Sequence, residues 1–257
     1  MTSDEVGAGG PGLFPPGSPV RRVWGHPVVM LGAGRALLLQ LAHPGVAQGV
    51  MEHSDFATDP FGRLQRTLDA VDRIVWGTAE EAYATAARLR AVHGHVRGEG
   101  YDATDPALVM WVHATLVDTA LRMHSRWARP VPAPVAEAFY GQAMVVGELF
   151  GCPIAQQPAG LAAFRAYVRQ MVGALGPGID DDQRRLAHRV LHPSVPIAAD
   201  PVVVLARQLT IGQLPRPVRE GFRLGWDRPR EAALLATGLG TRLLNVPFAL
   251  ARRVTAA

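Results

Sequence analysis

The stretch that decides the fold is DPALVMWVHATLVD, residues 105–118. Asp105 followed by Pro106 predicts a helix start, because an aspartate accepts from free backbone N–H groups and proline suits the first helical position. The residues that follow are apolar on almost every side of the helix. A helix without a polar face is covered by other elements. We therefore expect this helix to lie at the centre of the protein.

Helical patterns occupy most of the remaining chain. Asp59-Pro60 repeats the start signal, and Thr78 and Glu81 have the spacing of a capping box. Further helices are predicted at 28–42, 133–150, 160–175, 181–191, 201–211, 216–224 and 229–243. No long stretch alternates between apolar and polar residues as a strand would. The sequence predicts an all-α fold.

The predicted organisation is one mostly helical domain after a short tail. Residues 1–20 are rich in glycine and proline and are expected to be a disordered tail. Residues 21–257 are expected to form the helical domain, and most of the recognisable motifs lie within 28–153.

Composition excludes several classes of protein. The chain has 257 residues, of which 48% are hydrophobic and 19% charged, enough to bury a large core. Its net charge of +4 is modest and its arginines are scattered, so nucleic-acid binding is not expected. The single cysteine, Cys152, excludes an internal disulfide and suits a reducing, cytoplasmic location. Charged residues interrupt the longest apolar stretches, so no transmembrane segment is expected.

His93 is the first candidate for chemistry. At about 100° per residue it shares one face of its helix with apolar side chains, while His95 points to the other side. The apolar face contains Ala82, Ala86, Leu89 and Val96. A histidine on such a face is a metal ligand, an acid or base, or a core residue bonded to the backbone. The pattern alone leaves these three roles open.

Arg63 and Thr67 form a second candidate site. They are neighbours one helical turn apart, at the edge of an apolar face. Arg63 could pair with Asp59 or Asp69 as an ordinary surface ion pair. Alternatively, a fixed cation beside a hydroxyl donor could stabilise negative charge on an anion or an oxygen species.

His113 is a third candidate because it lies with Thr115 and Asp118 on the apolar central helix. We count it among the candidate cofactor-binding residues. Asp118 and Arg122 are four residues apart, so they are expected to pair with each other. A non-haem hydrolase built on His43, His53 and His113 is an alternative, although the spacing of these residues does not support it.

Several stretches of the sequence form a recognisable set. They are His43-Pro44 with Gly49-Val50, His53-Ser54-Asp55-Phe56, Asp59-Pro60-Phe61-Gly62-Arg63-Leu64-Gln65-Arg66-Thr67, Trp76-Gly77-Thr78, Val92-His93, Val96-Arg97-Gly98, Tyr101-x-Ala103-x-Asp105-Pro106 and Trp111-Val112-His113-Ala114. Taken together, they resemble the catalytic domain of the rubber oxygenase (latex-clearing protein) superfamily, which also contains a fungal oxygenase of mycophenolic acid synthesis. The resemblance extends from about Val28 to Pro153 and is weaker beyond.

The resemblance implies a helical fold that holds haem b, with His93 as the proximal iron ligand. Arg63 and Thr67 match an arginine and a threonine near the haem in the latex-clearing proteins. Arg66 stands where those proteins have a lysine that can bind iron. A guanidinium stays protonated and has no free lone pair, so Arg66 should leave the distal side of the iron open or water-bound. Arg63 and Arg66 could hydrogen-bond dioxygen or a haem propionate.

The function that these patterns and the resemblance predict is a haem b-dependent oxygenase. It would use dioxygen on an apolar small molecule, with unsaturated compounds as candidates. An unidentified electron donor is a candidate further partner, and dioxygenation, monooxygenation and peroxidation all stay open. The alternative is a non-catalytic helical protein that binds haem or another ligand.

Overall fold

The computed structural model describes residues 10–53, 60–193 and 200–243. In these ranges the chain is mostly helical, as predicted. The α-helices are α1 (Pro19–Trp24), α2 (Ala33–Leu41), α3 (Pro44–His53), α4 (Pro60–Trp76), α5 (Ala79–His93), α6 (Pro106–Trp127), α7 (Ala133–Phe150), α8 (Leu161–Leu175), α9 (Asp181–Leu191), α10 (Asp200–Gln213), α11 (Arg216–Gly221) and α12 (Arg228–Leu243). Short 3₁₀ helices cover Pro27–Gly32, Ile154–Gln156 and Gly176–Gly178.

Helix α6 is central, as its sequence predicted. It packs against α2, α7, α8, α12 and the 3₁₀ helix Pro27–Gly32. The side chain of Asp105 accepts a hydrogen bond from the Ala107 N–H at 2.9 Å and so caps the helix. Trp111 is fully buried, and its indole N–H donates to the Leu39 carbonyl at 3.0 Å. The apolar surface of α6 thus forms the middle of the core.

A buried ion pair connects three of the helices around this core. The Arg35 guanidinium on α2 is completely buried and donates to the Asp118 carboxylate on α6 at 2.6 Å. Arg35 also donates to the Thr119 hydroxyl at 2.5 Å and to the Gln213 carbonyl of α10 at 3.0 Å. The expected Asp118–Arg122 pair is present at 2.9 Å. Asp118 therefore forms ion pairs with two arginines, the buried Arg35 and the surface residue Arg122.

A small antiparallel hairpin was not predicted from the sequence, nor was helix α1, and the helix predicted at 28–42 is a 3₁₀ helix (Pro27–Gly32) followed by α2 (Ala33–Leu41). Strands β1 (Arg97–Gly98) and β2 (Tyr101–Asp102) pair directly after α5. The turn between them places Gly100 at a φ of +79°, a conformation that favours glycine. Strands of two residues are too short to show an alternating pattern, which is why they escaped prediction.

The predicted boundary of the N-terminal tail is wrong within the part that the structure describes. Phe14 is 4% exposed and belongs to the hydrophobic core. The Pro11 carbonyl accepts from the Ala79 N–H at 3.1 Å, and α1 begins at Pro19. These contacts with distant parts of the chain outweigh the local effect of glycine and proline. The remainder of the predicted tail, 1–9, lies outside the described residues.

None of the described helices combines the length and the apolar character needed to cross a membrane.

Candidate functional site

The candidate site lies at one end of the helix pair α4–α5. It is the end away from the turn that connects the two helices, which we call the open end. Helix α4 ends at Trp76, α5 begins at Ala79, and the two helices pack against each other. The Thr78–Glu81 capping box fixes the start of α5, because the Thr78 hydroxyl accepts from Glu81 N–H at 3.1 Å and the Glu81 carboxylate from Thr78 N–H at 2.8 Å. A connection this short makes neighbouring helices antiparallel. The first turns of α4 and the last turns of α5 therefore lie at the same end.

The rise of an α-helix shows which residues are level along this pair. At 1.5 Å per residue, Arg63 lies about 20 Å and Thr67 about 14 Å from the connecting turn on α4. On α5, His93 lies about 21 Å from the same turn. Arg63 and His93 are therefore at similar heights, and Thr67 is about one turn closer to the connection. By this estimate the three residues lie toward the same end of the helix pair.

The inner face of α4 becomes uncovered toward the open end. Ile74, near the turn, is fully buried, and Ala70 is 9% exposed. Thr67 continues the same face one turn further and is exposed, as is Arg66 beside it. The backbone of Arg63 belongs to α4, but its side chain lies outside what the structure describes.

The inner face of α5 changes in the same way. Ala82 and Ala86 are fully buried, whereas Leu89 and His93 are half-buried. His95 is exposed, as expected. His93 thus lies on the apolar face that the sequence predicted, but it is only half-buried there. The inner faces of α4 and α5 are thus buried near the turn and more exposed to solvent at the open end.

The end of α3 and the hairpin lie beside His93 and were not predicted as part of the site. The Val96 N–H donates to the His93 carbonyl at 2.9 Å, which bends the chain from α5 into the hairpin. Tyr101, 7% exposed, packs against Gly49 of α3, where a side chain would lie 3.2 Å from the Tyr101 ring. Its hydroxyl donates to the Glu52 carboxylate at 2.5 Å.

This tyrosine–carboxylate pair perturbs both groups. Desolvation, followed by the nearby carboxylate, raises the pKa of Tyr101 to about 12. Hydrogen bonds from Tyr101 and then from Gln48 lower the pKa of Glu52. The Glu52 carboxylate at the end of α3 therefore stays ionised and accepts the hydrogen bond from Tyr101. Forty-nine residues separate the partners, so no local pattern could have revealed the pair.

His113 lies inside the core, where its ring is enclosed on several sides. It is 1% exposed and makes edge contacts with the rings of Trp24 and Phe150, with centroids 6.2 and 6.4 Å away. A side chain at Gly147 would lie only 3.0 Å from the imidazole. Neither ring nitrogen has a partner in hydrogen-bond geometry. Burial lowers the pKa of His113 to about 4, against a smaller opposing effect of the Ala143 carbonyl, so the ring is neutral at pH 7.

Clusters of side chains that could bind a metal ion would mark another candidate site in the described part of the chain. Within residues 10–53, 60–193 and 200–243, no group of three histidine, cysteine, aspartate or glutamate side chains could hold a metal ion. The alternative site built on His43, His53 and His113 therefore gains no support. A surface cavity of about 430 Å³ lies between α6 and the α10–α12 region. Five of its twelve lining residues are arginines, and none of the predicted site residues is among them.

Comparison with known proteins gives a match over most of the chain. The family model described as "ER-bound oxygenase mpaB/B'/Rubber oxygenase, catalytic domain" matches residues 21–243. Two curated relatives are the uncharacterized protein Mb2261 of Mycobacterium bovis and the uncharacterized protein Rv2237 of Mycobacterium tuberculosis. Each is 27% identical over 155 residues, covering 57% of this chain and 61% of the relative. The chain thus spans about three fifths of the length of these relatives. No solved structure is significantly similar to it.

Proposed function

Because the chain belongs to the family of mpaB and rubber oxygenase catalytic domains, we propose that it is a haem b-dependent oxygenase that acts with dioxygen on an apolar small molecule. The observation that carries this proposal is the open end of the α4–α5 pair. There, two inner helix faces that are buried near the turn become accessible, and one of them presents an imidazole. A flat, largely apolar cofactor with charged edges would cover such faces.

The residues at the open end fit haem in their chemistry. Histidine is a common proximal ligand of haem iron, and His93 is half-buried at this end of α5, so His93 is the proposed proximal ligand. The exposed Arg66 guanidinium can pair with a propionate carboxylate. When bound, haem would supply the redox chemistry, and the protein would supply ligation, orientation and charge.

Arg63, Arg66 and Thr67 are the proposed catalytic residues. A guanidinium donates several hydrogen bonds and keeps its positive charge, and the Thr67 hydroxyl can donate one more. Donors held on a rigid helix stabilise negative charge that develops on an oxygen atom in the transition state. Since Arg66 cannot itself bind iron, this side of the site would remain open to dioxygen and small ligands.

His113 is retained as the second candidate for contact with the cofactor. Its two nitrogens without hydrogen-bond partners are compatible with a ligand role. However, Trp24, Phe150 and Gly147 enclose the ring, so a macrocycle could reach it only after these groups moved. We therefore place the iron at His93 and expect His113 to support the site from within the core.

The partners follow from the electron balance of the reaction. An oxygenase that places both oxygen atoms in its product needs no external electrons, whereas one that reduces one of the atoms to water needs a donor, so an electron donor joins the apolar substrate and dioxygen only in the second case. The buried free thiol of Cys152 is compatible with the proposed cytoplasmic location.

The experiment that tests the proposal compares two histidine variants. The His93→Ala protein should lose the Soret absorbance, while His95→Ala should keep it, because the two positions are only two residues apart but only His93 lies on the inner face. His113→Leu is measured in parallel. Full haem retention in His93→Ala, or loss confined to His95→Ala or His113→Leu, would overturn the assignment of the iron ligand.

A second readout separates an oxygenase from a haem carrier. The reduced wild-type protein should consume dioxygen continuously when supplied with an excess of reductant. A protein that binds one haem per chain but shows no dioxygen uptake above free haem would instead be a non-catalytic haem-binding protein.

A further inference from the structure

Two histidines stand side by side at the end of α9, away from the predicted site residues in sequence. His188 belongs to the last turn of the helix and His192 is its C-cap residue. Both side chains are exposed. Their rings are stacked, with centroids 4.1 Å apart and planes inclined by 21°. The spacing of four residues explains this, because such residues are neighbours on one helix face.

A hydrogen bond fixes the tautomer of one of these rings. Nδ1 of His192 lies 2.9 Å from the His188 carbonyl oxygen. A carbonyl can only accept, so Nδ1 must carry the hydrogen, and the free lone pair of His192 is on Nε2. Histidines that bind metal ions in proteins commonly have their other ring nitrogen held in this way. His192 is therefore already in a tautomer suitable for a ligand.

We propose that His188 and His192 together bind one divalent transition-metal ion, such as Cu²⁺, Ni²⁺ or Zn²⁺, through one ring nitrogen each. Neutral imidazole is a preferred ligand for these ions, with metal–nitrogen distances of about 2.0–2.1 Å for zinc. Rotation of the His188 ring out of the observed stack would bring its lone pair toward Nε2 of His192, while His192 keeps its hydrogen bond to the His188 carbonyl. The C-terminal end of a helix carries partial negative charge, which also favours a cation there.

The ligand set defines what this site can and cannot bind. Since the described ranges contain no cluster of three metal-binding side chains, the protein would supply two ligands and water the rest. Affinity should then follow the general order for nitrogen ligands, with Cu²⁺ strongest. Mg²⁺ and Ca²⁺ prefer oxygen ligands and should not compete. This proposal does not depend on haem binding.

Calorimetric titration of the purified full-length protein with Ni²⁺, Zn²⁺ or Mg²⁺ tests the proposal. We expect one Ni²⁺ or Zn²⁺ ion per chain and no heat of specific binding with Mg²⁺. Loss of a residue that only orients a ligand typically weakens metal binding about 10–100-fold, so His188→Ala and His192→Ala should each weaken it at least about tenfold. His95→Ala, at another exposed histidine, is the control and should bind as wild type does.

Electron paramagnetic resonance of the Cu²⁺-loaded protein gives a readout that a purely structural role would not change. The spectrum should show coupling to two imidazole nitrogens in wild type and to fewer in each variant. His188→Ala leaves the C-cap residue of α9 intact, so it remains informative if His192→Ala perturbs the helix end. Unchanged affinity and nitrogen coupling in both variants, or an equal loss in His95→Ala, would overturn the proposal.

Discussion

Replacing His113 by leucine should make the protein much less sensitive to acid. His113 is fully buried, and burial lowers its pKa from 6.5 to about 4. In the unfolded chain the same ring has its ordinary pKa of about 6.5. Between these two values the unfolded state binds a proton that the folded state does not. Folding is therefore penalised as the pH falls through this window, and the penalty disappears again above pH 6.5.

The size of this effect follows from the two pKa values. Each pH unit between them is worth about 1.4 kcal/mol, so the wild-type protein should lose about 3 kcal/mol of stability from His113 alone between pH 7 and pH 4. Leucine cannot be protonated and removes two buried nitrogens that lack partners. At pH 7, the free energy of unfolding of His113→Leu should lie within about 1.5 kcal/mol of that of wild type, because the volumes are similar.

Urea unfolding at several pH values between 7 and 4 measures the effect. Other buried carboxylates and histidines also respond to acid, so the quantity of interest is the difference between wild type and His113→Leu at each pH. That difference should shift in favour of the variant by about 3 kcal/mol over the range. His95→Leu, at an exposed position, should follow the wild-type profile. Parallel profiles for wild type and His113→Leu would refute the reasoning and mean that the folded ring accepts a proton readily.

Three further predictions concern the core and the proposed site. Asp118→Ala should reduce the free energy of unfolding by about 3–5 kcal/mol in urea titrations, because it leaves the buried Arg35 guanidinium without its carboxylate; a loss below about 1 kcal/mol would contradict the structural role. Arg63→Ala and Thr67→Ala should both keep haem. Each variant should slow reductant-driven dioxygen uptake by roughly 10²–10³-fold, because each removes one hydrogen-bond donor to the transition state. Unchanged uptake with intact haem would argue against a catalytic role of the residue replaced. The ferric wild-type protein should bind cyanide and imidazole readily. Arg66→Lys should introduce an amine that can bind iron, and its ferric spectrum should be low-spin. Equal binding of cyanide and imidazole by both proteins would contradict the predicted role of position 66.

Helix positions were predictable where a residue at the helix end performs a local function. Asp105 and Thr78 accept from backbone N–H groups in the structure as their sequence patterns predicted. Gly151 ends α7 with a φ of +115°, which glycine adopts more easily than other residues. These signals act within one helical turn, so they could be recognised without knowledge of the tertiary structure.

Features that depend on distant contacts could not be predicted. Arg35 interrupts an apolar stretch, and nothing nearby in sequence reveals that Asp118 compensates its charge from 83 residues away. The half-exposure of His93 likewise depends on how neighbouring helices pack against α5. The apolar pattern of α5 carries no information about that packing. Phe14 was assigned to a tail because glycine and proline surround it, although its ring contacts the core.

The sequence and the family resemblance indicated His93 and Thr67 as candidate residues, and both lie toward the same end of the helix pair. The surroundings of these residues could not be predicted. The pairing of Tyr101, which follows α5, with Glu52 of α3 became visible only in the structure, because 49 positions separate the two residues in sequence.

The haem content of the purified wild-type protein tests the central claim most directly. The protein is produced in cells supplied with a haem precursor, and haem b is quantified by the pyridine haemochrome method against the protein concentration. We predict close to one haem b per chain, together with an intense Soret band. A colourless protein that also fails to bind added haemin stoichiometrically would contradict the account.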